Sequence, residues 1–286
     1  MISGDPLWSA FPWELLRFGE GGEDYLGLHH ALARLGAIQA KDLQSQLSLS
    51  ELGQGTGKIA ILAPYDTNPC KPLDGVVDEI KSVMKAVKAR DGRVVAFARR
   101  KKASDLELIR QINLQPDIFH YSGHGAIVQD EELLILHRDK SEQHALTPIT
   151  YFGKAHLMSL AEQQGGPLFP QRPLILLNSC VTGRSRQAGG AREDLISTLL
   201  TLGAEAVIAS ALPVYDLIGK ALGEALFDPA IAQTNDIASV IVGTRRRLAS
   251  ELCGDVESPY WGEWGLIHLH GNARAVLPFK QVPVTQ

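Results

Sequence analysis

Short, continuously apolar runs separated by segments of helical period are the feature that most limits what this chain can fold into. IAILA (59–63), RVVAFA (93–98), DIFHYSGHG (117–125), RPLILLNSC (172–180) and AVIASA (206–211) suit strands buried on both faces. Between them, VVDEIKSVMKAVKAR (76–90) carries apolar residues at helical spacing, SDLELIRQI (104–112) opens with a Ser N-cap, and DLISTLLTLG (194–203) closes on a Gly cap. Further helices are expected over 216–227 and 236–252, and a last strand over GLIHLHG (265–271). ELLILHRD (132–139) adds a short strand, and Thr147 with Pro148 marks the expected start of a helix running through TPITYFGKAHLMSLAEQ. Strands alternating with helices give an α/β fold: a mostly parallel central sheet, helices on both faces, right-handed crossovers.

With 286 residues, 45% of them hydrophobic, the chain can bury a large core. One domain over 1–286 is expected, with 1–56 as an N-terminal subregion and 57–286 as the core that carries the chemistry. The net charge of -4 comes from mixed acidic and basic residues without a broad basic stripe, so no direct nucleic-acid partner is expected. No apolar run approaches the ~20 residues of a spanning helix, and no basic leader precedes one, so no membrane partner is expected either. Cys70, Cys180 and Cys253 are an odd set without CxxC spacing, which fits a reducing, cytoplasmic compartment. GQGTGK (53–58) precedes its strand and reads as a turn rather than a phosphate loop. His268 and His270 read as core or edge histidines, and no metal or cofactor is expected.

In open parallel sheets, sites form at the carboxyl ends of the strands. Two reactive side chains stand there, His124 after one apolar run and Cys180 after another. A cysteine attacks a carbonyl as its thiolate, and an imidazole poised near neutral pH is the group that takes the thiol proton and later delivers one to a leaving amine. The glycines flanking His124 allow close backbone approach, and the amides of Gly125 and Cys180 suit a developing oxyanion. His120, four residues before His124, reads as a packed structural histidine.

HYSGHGA, LILLNSCVTGRS and DLISTLLTLGAEAVIASALPV together resemble the CHAT domains of the caspase-like clan of cysteine peptidases. FPWELL at 11–16 is similar to that family's N-terminal proline-tryptophan-glutamate motif, and SPYWGEWGLIHLHGN at 258–272 to its closing strand. The resemblance implies a caspase-like fold, a His124–Cys180 dyad with Gly125 in the oxyanion hole, and a substrate groove flanked by Leu212, Pro213 and the residues up to Tyr215. It implies a cytosolic endopeptidase whose partners are a protein substrate and a regulatory protein or domain, and in prokaryotes a role in signalling, cell death or anti-phage defence.

Arginine-specific members of that clan carry an aspartate two positions before the nucleophile, where this chain has Asn178. An uncharged wall suits a neutral P1 side chain. Asp66 and Asp74, after the first core strand, are the expected carboxylates if P1 is basic, a turn and a solvated loop being the other reading. Arg184, Arg186 and Arg192 mark a loop that reads either as a processing site or as a basic surface loop. Two other functions fit the same residues: a catalytically silent interaction module of the same fold, and a cysteine hydrolase of small amides.

Overall fold

The structure, a computed structural model, describes residues 12–18, 24–34, 57–138, 149–180, 194–231, 235–253, 260, 262–272 and 275–279. Twelve strands are present among them: β1 (Arg17–Phe18), β2 (Asp24–Tyr25), β3 (Ala33–Arg34), β4 (Lys58–Ala63), β5 (Arg93–Arg99), β6 (Ile118–Ser122), β7 (Gly125–Val128), β8 (Glu131–His137), β9 (Ile149–Phe152), β10 (Leu174–Asn178), β11 (Ala206–Ser210) and β12 (Ile267–Gly271). The principal helices are α1 (Val76–Ala89), α2 (Asp105–Asn113), α3 (Lys154–Gln164), α4 (Leu195–Thr201), α5 (Asp216–Phe227) and α6 (Ile237–Leu248).

Seven strands form the central sheet in the order β3-β12-β11-β10-β6-β4-β5. Every pairing is parallel except β11 with β12. Because successive side chains leave a strand on opposite faces, each run feeds two cores. Ile59, Ile61, Leu176 and Ile208 pack with Ile80 and Val83 of α1, Leu222 of α5 and Ile241 of α6. Ala60, Leu62, Ile175, Leu177 and Val207 pack with Leu108 of α2, Leu157 of α3 and Leu199 of α4 on the other face. The continuous apolar runs are the signature of that double burial.

Local capping sets the helix starts. Ser104 Oγ accepts from the Glu107 amide, and Asp194 and Asp236 do the same for Ser197 and Ser239. The helix expected from Thr147 and Pro148 begins later. Those two residues lie outside the described set, and the next four, ITYF, form β9, which pairs antiparallel with β8 in a three-stranded sheet with β7. Their β-branched and aromatic side chains favour the pleated surface, and Gly153 then caps α3. Gly153 also lies against β8, where a Cβ would come 2.4 Å from Leu133 Cδ2.

The segment at 12–34 is joined to the far end of the chain. β3 extends the central sheet beside β12, and the fully buried Glu14 binds Arg34 through both oxygens, at 2.5 and 2.7 Å. The same carboxylate lies 3.2 Å from Arg245 of α6 and 3.6 Å from His268 of β12. Among the described residues no helix is long and apolar enough to cross a membrane.

Candidate active site

β6 and β10 are neighbours, paired so that Ser122 faces Asn178. The chain continues from each for two residues, to His124 on one side and Cys180 on the other. The two side chains therefore leave adjacent strands at one level, at the carboxyl edge of the sheet where ligands of open α/β sheets bind.

The backbone around His124 is held in place. Gly123 donates to the Asn178 carbonyl, and the Tyr121 hydroxyl lies 2.7 Å from His124 O and 2.9 Å from Ile135 O. A Cβ on residue 123 would come 2.9 Å from that hydroxyl and 3.0 Å from Pro64, so only glycine fits this turn without a shift. The half-buried His124 ring points Nε2 at the Lys71 carbonyl, 2.8 Å away. A carbonyl only accepts, so Nε2 carries a hydrogen and Nδ1 of the neutral ring holds the lone pair. Burial lowers the His124 pKa below its ordinary value, against the Lys71 carbonyl and the Asp216 carboxylate, which pull it up.

Cys180 is half-buried and free, its Sγ 3.8 Å from the Val214 carbonyl. It lines a cleft shared with Ser122, Asn178, Tyr215, Asp216 and Gly219. Glu79 of α1 forms part of the wall. Its buried carboxylate accepts from His120 Nε2 (2.8 Å), Ser122 Oγ (2.7 Å) and Asn178 Nδ2 (2.8 Å). Among the described residues, the His124 and Cys180 side chains share no direct hydrogen bond.

The other expected site residues fall as follows. Gly125 opens β7, opposite Leu134. Asn178 lines the cleft, but its amide is engaged by Glu79 and by the Gly219 carbonyl at 2.7 Å. Leu212 and Pro213 are exposed beyond β11, and Val214 after them touches Cys180. Asp66 turns away from the cleft to His137 at 2.9 Å and Arg100 at 3.6 Å, and Asp74 is exposed outside it. The carboxylates that reach the cleft are Glu79 and Asp216, which the sequence reading did not single out. Glu79 carried a usable signal: it stands between Val76 and Val83 on the apolar face of an amphipathic helix, where an unpartnered carboxylate is costly. Arg184, Arg186 and Arg192 lie outside the described residues.

Residues 1–266 match the model of the CHAT domain. The chain belongs to the CHAT domain family. No curated protein matches this CHAT domain in sequence. Among solved structures it is similar to gingipain R of Porphyromonas gingivalis, an Arg-specific cysteine proteinase, with a TM-score of 0.54 at 12% identity, over 87% of this chain and 55% of that one. It is also similar to Saccharomyces cerevisiae separase in complex with securin, with a TM-score of 0.53 at 16% identity, over 93% of this chain and 15% of that one. The CHAT domain thus spans about half of the gingipain chain and a small part of separase. At such identities the likeness concerns the fold, which is that of the caspase-like cysteine peptidases, with its central, mostly parallel seven-stranded sheet.

Proposed function

We propose that this CHAT domain is a thiol endopeptidase with Cys180 as nucleophile and His124 as its base. The observation that carries the reading is the Ser122–Asn178 pairing, from which both side chains emerge at one level of the sheet, with the His124 ring already turned so that Nδ1 holds the lone pair.

In this reading Nδ1 takes the Cys180 proton, and the thiolate attacks the scissile carbonyl carbon. The amides of Gly125 and Cys180 donate to the oxyanion. Collapse breaks the C–N bond as the imidazolium gives its proton to the leaving amine. Water, deprotonated by the same ring, then hydrolyses the thioester and frees the thiol. Burial, by lowering the His124 pKa, keeps the ring neutral and ready to act as base at pH 7. The stretch from Leu212 to Tyr215, exposed except at Val214, provides an edge on which an extended peptide adds as a strand. The partners in this reading are a protein substrate and a regulatory protein or domain, in a cytoplasmic signalling or defence pathway.

A peptide-library digest with wild-type and Cys180→Ala protein tests it. Cleavage present in the first and lost in the second is expected. Absence of Cys180-dependent peptide cleavage across activating conditions rejects the endopeptidase and leaves the silent binding module or, if small amides are turned over, the amide hydrolase.

A further inference from the structure

The edge strand β5 ends at Arg99, and a 3-10 turn over Arg100–Lys102 follows it, so four consecutive cations, Arg99, Arg100, Lys101 and Lys102, all exposed, stand at this corner of the sheet. Strand register gives this run a place. Arg99 pairs with Ala63, Leu62 pairs with Tyr121, and Ser122 pairs with Asn178. Arg99, Ala63, Ser122 and Asn178 therefore occupy one row across the sheet, and the cations continue past it as His124 and Cys180 do.

Arg100 anchors the run. Its φ is 54°, its Nε donates to the Tyr65 hydroxyl at 2.9 Å, its guanidinium lies 5.7 Å from the Tyr65 ring centroid, and it faces Asp66 at 3.6 Å. Arg99, Lys101 and Lys102 have no ion-pair partner among the described residues. Among the described residues, the outer edge of β5 has no neighbouring strand in the sheet. Three unneutralised charges beside an open strand edge form a local positive field in a chain whose net charge is -4.

Resting on the endopeptidase reading, we infer that Arg99, Lys101 and Lys102 dock an acidic segment of the protein substrate, on the leaving side of the cut. The side follows from the chemistry. His124 protonates the leaving amine and lies at the end of β6, so the leaving segment departs from Cys180 in the direction of β6, β4 and β5. Leu212 to Tyr215, beyond β11, lie on the opposite side of Cys180 and hold the acyl half. Three strand spacings from β10 to β5 amount to about 14 Å, and an extended chain advances roughly 3.3 Å per residue. The acidic residues therefore fall about four to six positions after the scissile bond. An acidic peptide fits better than a nucleic acid, because the run is short and belongs to a chain of net charge -4, whereas nucleic-acid surfaces spread many cations over a face.

Two measurements decide this. In the first, a fluorescently labelled hexaglutamate peptide is titrated by anisotropy into Cys180→Ala protein and into the same protein carrying Arg99→Ala, Lys101→Ala and Lys102→Ala. Arg100 is kept as the anchor. Binding that weakens roughly tenfold in the triple variant, and similarly on going from about 50 to 500 mM salt, is the expected result. Equal binding by both proteins, no binding by either, or tighter binding of a single-stranded RNA hexamer overturns the inference. This arm needs no catalysis, so it stands or falls apart from the protease reading. In the second, cut sites of the active enzyme are mapped in a proteome-derived peptide pool. Asp and Glu are expected to be enriched four to six residues after the cut, and the enrichment to flatten in the triple variant. Cys180-dependent cuts without that enrichment leave the protease intact and discard the docking site.

Discussion

Asn178 joins the cleft beside Cys180 to a buried carboxylate, which is why it is more than a neutral stand-in for an aspartate. Its amide donates 2.8 Å to Glu79 Oε1 and 2.7 Å to the Gly219 carbonyl, and a carboxylate has no hydrogen for either. Asn178→Asp, the change that restores the arginine-specific pattern of the clan, is therefore expected to set two anions against each other. A destabilisation of about 3 kcal/mol at pH 7 is expected, read by urea denaturation. The new Asp would have a raised folded-state pKa, so the penalty is absent well below pH 4, grows as pH rises from about 4 toward that pKa, and is complete above it. In the proposed reaction the opposite shift sets the acid limb of activity. Burial lowers the His124 pKa, and the ring works as a base only when neutral. The acid limb of a kcat/KM profile should thus lie below the ordinary histidine value of about 6.5, and a limb above 6.5 would remove His124 from the role of base. Both reactive residues were legible because each ends an apolar run beside glycine or serine. Glu79 and Asp216 were not, because a carboxylate's partners lie across the fold: Glu79 meets residues 120, 122 and 178, and Asp216 accepts from the Gly75 amide.

At the scale of elements, the pairing of α1 with α5 forms the cleft. Glycines on α5 allow the approach: a Cβ at Gly223 would come 2.4 Å from Glu79 Oε1, and one at Gly219 would come 3.0 Å from Asn178 Oδ1. DLIGKALGEALF shows these glycines four residues apart, a spacing that puts them on one face of a helix. What faces them is set by the crossover order of the sheet. The periods of α1, α2, α5 and the buried strands were readable because one signal, apolar spacing, agreed with the tertiary environment. β9 was missed for the converse reason. Pro148 resembles a helix start, while the competing signal, ITYF, becomes a strand by pairing with β8 across residues 131–137. The order of strands likewise gives meaning to ARRKK, a charge run with no position until register sets Arg99 in one row with Ser122 and Asn178.

Across the described molecule, an early segment and two late elements of the chain meet on one carboxylate. Glu14 of the tryptophan-glutamate motif touches Arg34, Arg245 and His268, all buried. It thereby joins the first described segment to α6 and β12. The motif itself was visible in the sequence, but its partners lie 20, 231 and 254 residues away (254 from 268 − 14), beyond the reach of any local pattern. Two guanidiniums share this one anion, and burial pushes the Arg245 pKa down to about 10 even with Glu14 beside it. Removing the anion leaves cations in a medium that solvates them poorly, and breaking a buried pair from one side costs roughly 3–5 kcal/mol. Glu14→Ala is expected to lose stability of that size in chemical denaturation, with little change between low and high salt, since buried charges are screened weakly. Arg34→Met in the Glu14→Ala background removes one of the stranded cations and should recover part of the loss. If Glu14→Ala costs less than about 1 kcal/mol, or if the double variant is no better than the single, the contact does not join the 12–34 segment to α6 and β12 energetically. The N-terminal segment would then be held by its apolar packing and the β3–β12 pairing alone.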